Sequence, residues 1–311
     1  MSSKRTASRK PARPAPFKRV VVAGAQFAVV PNDISANLDL CVHYLRRASR
    51  ETSAKLVVFP ESITTGYNPA MPPADFYNFL PPTPKLLAPI RQACKELGIH
   101  CVLPTYERGP KRDIIYNSAF LIDSRGRNLG AYRKTHLFPT ERLENNGWTT
   151  SGSRFPVFKT EIGVIGIHIC FDGDFPEVSR ILAVKGAHII CRPSALMRSF
   201  EVWEFTNKMR AYENNLYHIA VNAVGPDAAN TNFFGHSMII SPIAQTLALA
   251  RGVDDLIYAT LEPNPLQRIS YGSDAPMLFE HLRDRNVANY TKALFQKAVS
   301  PFLPTGRPGK K

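Results

Sequence analysis

No stretch of the 311 residues carries the roughly 18 consecutive apolar side chains that a membrane-spanning helix needs. The longest apolar runs, over 20–28 and 163–170, are of strand length. The basic start has no apolar run behind it, so a secretory leader is not expected. Cysteine is scarce: Cys41, Cys94, Cys101, Cys170 and Cys191 are odd in number, and none stands in a Cys-x-x-Cys spacing. That pattern excludes a disulfide framework or zinc ribbon as the organising device and predicts reduced thiols in the cytoplasm. The eight histidines show no ligand spacing, so neither metal nor cofactor is expected. Acidic residues are missing from both ends. Seven of the +14 net charges lie in 1–19 and four in 297–311, which leaves +3 for the body. A basic tail can hold polyanions non-specifically, but its Ser/Pro/Arg/Lys composition reads first as a solvated arm. No specific nucleic-acid partner is expected.

What remains is a body long enough to bury about three quarters of its unfolded surface. Segments 1–17 and 301–311 read as disordered basic tails, and 18–290 as one domain without an internal linker. Apolar patterning predicts strands over 19–30, 55–60, 100–106, 114–123 and 129–134. Helices are expected over 33–51, opened by Asp33, and over 85–97, ended by Gly98, with a Pro/Tyr/Asn-rich loop at 64–84. The second half repeats this logic: strands over 164–170, 188–191, 217–223, 236–241, 246–250 and 256–261, and helices over 176–185 and 200–214. Several neighbouring strands have connections too short for a helical crossover. The expectation is therefore α/β, with two mixed sheets and helices outside. An extension over 265–300, helical over 274–295, reads as a segment that contacts a partner subunit.

Three places put a reactive side chain at a strand end. Glu61 closes the run Val57-Val58-Phe59-Pro60-Glu61, where an apolar wall can raise a carboxylate into the range of a general base. Lys134 stands in Tyr132-Arg133-Lys134-Thr135-His136-Leu137-Phe138. Cys170 follows a buried strand and precedes Phe171-Asp172-Gly173-Asp174-Phe175-Pro176-Glu177. Backbone N–H groups at such a strand-to-helix elbow would lower the thiol pKa and can bind an oxyanion. Each has a bland alternative: an exposed glutamate, a surface lysine, a small core residue.

The order Glu61, Lys134, Cys170 in these settings resembles the nitrilase superfamily of carbon–nitrogen hydrolases. The resemblance spans about 18–290 and extends to Lys185-Gly186-Ala187 and Phe234-Gly235-His236-Ser237. It implies a four-layer α-β-β-α sandwich, commonly assembled as a homodimer or higher homo-oligomer. It also implies Cys170 as nucleophile, Glu61 as base, and Lys134 with the Phe171 N–H as oxyanion donors. A thioester intermediate follows from those roles. A second glutamate is assigned to Glu141, with Glu144 the competitor. His168, two residues before Cys170, reads as a buried hydrogen-bonded histidine rather than a papain-like base.

Cys170-Phe171-Asp172 is similar to amidase and carbamoylase branches rather than to the Cys-Trp-Glu of nitrilases. The run 172–177 is most like aliphatic amidases and formamidases. The first reading is thus hydrolysis of a small linear amide to acid and ammonia. N-carbamoyl amine or N-carbamoyl amino acid hydrolysis is the alternative, followed by nitrile hydrolysis, acyl transfer and a non-catalytic scaffold. Arg192 and Arg198, expected near the pocket mouth, are candidates for a substrate carboxylate. Asp174 favours a neutral or amine-bearing substrate instead, and the plain reading of all three is an internal ion pair. Tyr67 and Trp148 are candidate pocket walls.

Overall fold

The computed structural model describes residues 17–263, 265, 281–290, 294 and 296–297. Two six-stranded sheets lie face to face between helices. The first contains β1 (Val20–Gln26), β2 (Leu56–Val58), β3 (His100–Arg108), β4 (Ile115–Ile122), β5 (Asn128–Arg133) and β14 (Asp255–Leu261), in the order β14-β1-β2-β3-β4-β5. The second contains β6 (Val157–Thr160), β7 (Gly163–Ile167), β8 (Ile189–Ser194), β9 (Tyr217–Asn222), β12 (Met238–Ile240) and β13 (Thr246–Leu249), in the order β13-β12-β9-β8-β7-β6. A short hairpin, β10 (Val224–Pro226) with β11 (Asn232–Phe234), stands apart. In each sheet three central strands run parallel, β1-β2-β3 and β7-β8-β9, and antiparallel strands complete the edges.

The pleat sorts side chains by parity. Val22, Leu56, Val58, Val102 and Leu121 point inward and meet Ile165, Ile167, Ile189, Ile219 and Val221 of the other sheet. Ala23, Val57, Cys101 and Leu103 point outward onto Leu38, Cys41 and Leu45 of α1 (Ile34–Thr52) and Leu86, Ile90 and Cys94 of α3 (Thr83–Leu97). On the far side α4 (Pro176–Val184) and α5 (Phe200–Tyr212) cover the second sheet. The expected four-layer α-β-β-α sandwich is what the chain forms.

Several boundaries move for identifiable reasons. The expected 64–84 loop contains α2 (Pro73–Phe79), because Pro73 sits in the first turn where its missing N–H costs nothing. β6 was not anticipated from the sequence pattern; it pairs with β7 from Val157↔Gly166 to Thr160↔Gly163. The strand expected to reach Cys170 stops at Ile167. Phe17, last residue of the expected tail, is buried with its ring 5.9 Å from that of His188; residues 1–16 and 301–311 lie outside the described residues. Of the helix expected over 274–295, residues 281–290 form turns and a single 3-10 turn at Val287–Asn289, and most of the rest lies outside the described residues. His281 donates its N–H to Asn215 and sets its ring 4.7 Å from Tyr212, so this piece packs on its own chain. Among the described residues no helix is long and apolar enough to cross a membrane.

Candidate active site

Strand ends of both sheets converge on one buried cluster. Glu61 follows β2, Lys134 follows β5, and Cys170 opens a 3-10 turn (Cys170–Asp174) after β7. Lys134 Nζ lies 2.7 Å from Glu61 Oε1 and 2.5 Å from Glu141 Oε2. Glu61 Oε2 accepts the backbone N–H of Ala195, just past β8, at 2.7 Å. The Glu61 and Glu141 side chains are wholly buried and that of Lys134 nearly so. Glu141 closes the 3-10 turn Pro139–Glu141, where its Oε2 also accepts the Phe138 N–H at 2.9 Å. The loop beyond it folds back so tightly that a Cβ at Gly147 would fall 2.1 Å from the Glu141 carbonyl carbon. Glu144, in the following 3-10 turn, is exposed and takes no part.

Two carboxylates share one ammonium here, and the electrostatics follow from that imbalance. Burial alone would lower the Lys134 pKa, but Glu141 and Glu61 reverse the effect and hold it well above the ordinary lysine value. Burial raises Glu141, and the charge of Glu61 adds to this against the pull of Lys134. Cys170 departs from expectation. Burial, reinforced by Glu61, pushes its thiol up to about 12 despite Lys134, Arg192 and the Ala195 N–H. The elbow was expected to lower it; a cysteine buried this deeply loses more to desolvation than a short 3-10 turn returns. Cys170 also adopts φ 46°, the left-handed region that non-glycine residues seldom enter without a compensating constraint.

Asn117, in the middle of β4, was not singled out from the sequence. Its Nδ2 donates to Glu61 Oε1 at 2.7 Å and to Glu141 Oε1 at 2.9 Å, and its carbonyl accepts the Lys134 N–H at 2.8 Å. The signal was an amide, followed by Ser118, inside the otherwise apolar and aromatic stretch 114–122. Asp172, read from the sequence only as a marker of the branch, has a structural role at the site. Its carboxylate accepts from Tyr132 Oη, Thr135 Oγ1, His136 N and Ile169 N, and His136 Nδ1 lies 3.0 Å away. It therefore ties the Lys134 segment to the cysteine turn.

A family model described as carbon-nitrogen hydrolase matches residues 21–271. The chain belongs to the carbon–nitrogen hydrolases of the nitrilase superfamily. It is 33% identical over 257 residues to a probable nitrilase of Schizosaccharomyces pombe, covering 80% of this chain and 92% of that one. It is 27% identical over 256 residues to an N-carbamoylputrescine amidase of Solanum lycopersicum, covering 76% and 84%. Among solved structures, an amidase from a Nesterenkonia species superposes with TM-score 0.73 at 26% identity, covering 86% of this chain and 97% of that one.

In this carbon–nitrogen hydrolase the cysteine opens onto a narrow cleft lined by Tyr67, Phe138, Phe171, Ala195, Leu196, Met197 and Arg198. Tyr67, one of the two expected walls, faces it; its ring centroid lies 5.7 Å from Lys134 Nζ. Trp148 stands a row behind, edge-on to Tyr67 at 5.9 Å. Arg198 and Asp174 form a two-pronged ion pair of 2.6 and 2.9 Å at the rim. Arg192 is not at the mouth. It is fully buried behind the cysteine turn, and its N–H groups are taken by Cys170 O, Thr206, Asn207 and Asp174, which leaves no donor for a substrate carboxylate. His168 contacts Ser179 Oγ at 3.2 Å and His218 Nε2 at 3.4 Å, and burial holds it well below the ordinary histidine pKa. A histidine so placed is neutral, with its Nε2 engaged by Ser179 and His218.

Proposed function

We propose that this protein hydrolyses a small linear amide to carboxylic acid and ammonia through a thioester on Cys170. The observation that carries the reading is the buried set in which Lys134 bridges Glu61 and Glu141 beside the cysteine turn. Glu61 takes the thiol proton as sulfur attacks the amide carbon, which a thiol near pKa 12 requires, since it is not ionised beforehand. Lys134 and the Phe171 N–H steady the tetrahedral oxyanion. The C–N bond breaks as Glu61 returns its proton to nitrogen, and ammonia leaves. Glu61 then deprotonates water, which attacks the thioester; the thiolate departs and regains its proton from Glu61. Glu141 keeps Lys134 charged and in place. The narrow, mostly apolar cleft, with Arg198 neutralised by Asp174, favours an uncharged acyl group of few atoms. N-carbamoyl amines are the second reading, favoured by the likeness to a carbamoylputrescine amidase.

Ammonia release from formamide, short aliphatic amides, aryl amides, N-carbamoyl amines, N-carbamoyl amino acids and nitriles tests this, with Cys170→Ala beside the native enzyme. Turnover of short amides that vanishes in the variant is expected. Turnover that survives in Cys170→Ala sinks the mechanism, and carbon dioxide released with the ammonia moves the substrate to the carbamoyl class. The site is proposed to work in a cytoplasmic homodimer. The reason lies on α5, where Val202, Phe205 and Tyr212 leave an exposed apolar stripe at helical spacing that suits a second copy.

A further inference from the structure

We propose that Arg192 is a positioning residue of the reaction, a buried strut that holds the Cys170 turn in its left-handed conformation. This rests on the reading of Cys170 as nucleophile. Arg192 Nε and Nη2 donate to the Cys170 carbonyl at 3.0 and 2.8 Å, a two-pronged grip on the peptide unit that carries the nucleophile. Nη1 is fixed from α5 by Thr206 at 3.0 Å and Asn207 at 2.7 Å, and the guanidinium lies 5.2 Å from the Trp203 ring centroid. The turn is moulded onto the strut: a Cβ at Gly173 would land 2.2 Å from the guanidinium carbon. Arg210, also on α5, extends the grip to the carbonyls of Gly173 at 3.0 Å and Asp174 at 3.2 Å.

A guanidinium without a close carboxylate is expensive to bury. Asp174 sits 3.4 Å away and spends its oxygens mainly on Arg198. Burial accordingly lowers Arg192 to about 10, which leaves it charged at neutral pH. A cost of that kind persists where it secures something else, and what it contacts is a strained φ at the reacting residue. The planar fork suits the task, since it fixes direction as well as distance. The same position favours the cysteine's ionised form as it develops.

The test compares Arg192→Met, Arg192→Lys and Gly173→Ala with the native enzyme. Three quantities are read: kcat and KM on the best amide, the rate of Cys170 alkylation by iodoacetamide mapped by peptide mass, and thermal unfolding. Arg192→Met is expected to lose about 10- to 100-fold in kcat, with KM little changed and alkylation slowed in parallel. Arg192→Lys keeps the charge without the fork and recovers part of the alkylation rate. Gly173→Ala displaces the strut without altering it, and is expected to lose kcat in the same way even where Arg192→Met fails to fold. Native kcat in folded Arg192→Met or in Gly173→Ala overturns the proposal. So does a KM rise at constant kcat, which would return Arg192 to substrate binding. If the native enzyme is alkylated at another cysteine and Cys170→Ala keeps its turnover, the failure belongs to the nucleophile assignment instead.

Discussion

At the residue scale the site is a charge problem with one cation and two acids. Lys134 satisfies Glu61 and Glu141 together, and Asn117 donates to the same Glu61 oxygen and to the other oxygen of Glu141, while the Ala195 N–H takes the second oxygen of Glu61. Removing the cation leaves two buried carboxylates facing each other, so Glu141 rises further and holds a proton, and the oxyanion loses its donor. Lys134→Ala is therefore expected to lower kcat at least ~100-fold in a steady-state assay. A rate near the native value would make Lys134 structural. Of the residues proposed to react, Glu61 and Cys170 were legible because each follows an apolar run, whereas Lys134 follows Arg133 and stood out only through the resemblance carried by the three motifs together. Asn117 was not legible: a lone amide within a strand carries no spacing, and only the fold brings Glu61 and Glu141 to it from 56 and 24 residues away. Arg192 was misplaced for the opposite reason. A charged residue after a strand suggests a rim, whereas β8 carries this one inward and α5 supplies its partners.

At the scale of elements the helices do unequal work. α1 and α3 present ordinary apolar faces to the first sheet, and their capping residues Asp33 and Gly98 marked them in the sequence. α5 is less regular because its inner face carries Asn207 and Arg210 for the cysteine turn, with Trp203 and Ala211 between. Its outer face leaves Phe205 66% exposed. Phe205→Glu is expected to convert a dimer to monomer in size-exclusion chromatography with light scattering, with the unfolding midpoint at fixed protein concentration lowered. An unchanged mass would move the interface elsewhere. The central strands were readable as apolar runs, buried on both faces, but α2 was hidden in a proline-rich stretch, where helix starts and loops look alike.

Over the whole molecule, burial that serves the site also sets the response to acid. His168 and His218 are fully buried side by side behind the site, and desolvation, with Arg192 nearby, holds both well below the ordinary value of 6.5. The unfolded chain therefore binds protons that the folded chain refuses. Stability from the pair is present above pH ~6.5 and lost as pH falls, by up to about 1.4 kcal/mol per pH unit for each ring. Urea unfolding at pH 7.5 and 5.5 reads this, and a folded His218→Asn variant is expected to show the shallower dependence. An identical pH dependence in native and variant protein would place the acid sensitivity elsewhere. Two mixed sheets with helices outside were readable from the strand and helix pattern, and the four layers from the family resemblance; the parallel centre of each sheet and the directions of buried polar side chains were not, since those depend on contacts between elements distant in sequence. The most direct test of the thioester on Cys170 is intact and peptide mass measurement of enzyme quenched in acid during turnover of a short amide. The acyl group, with ammonia lost, is expected on the peptide containing Cys170 and absent from Cys170→Ala, which does not turn over. An acyl group on any other residue, or turnover by the alanine variant, would contradict it.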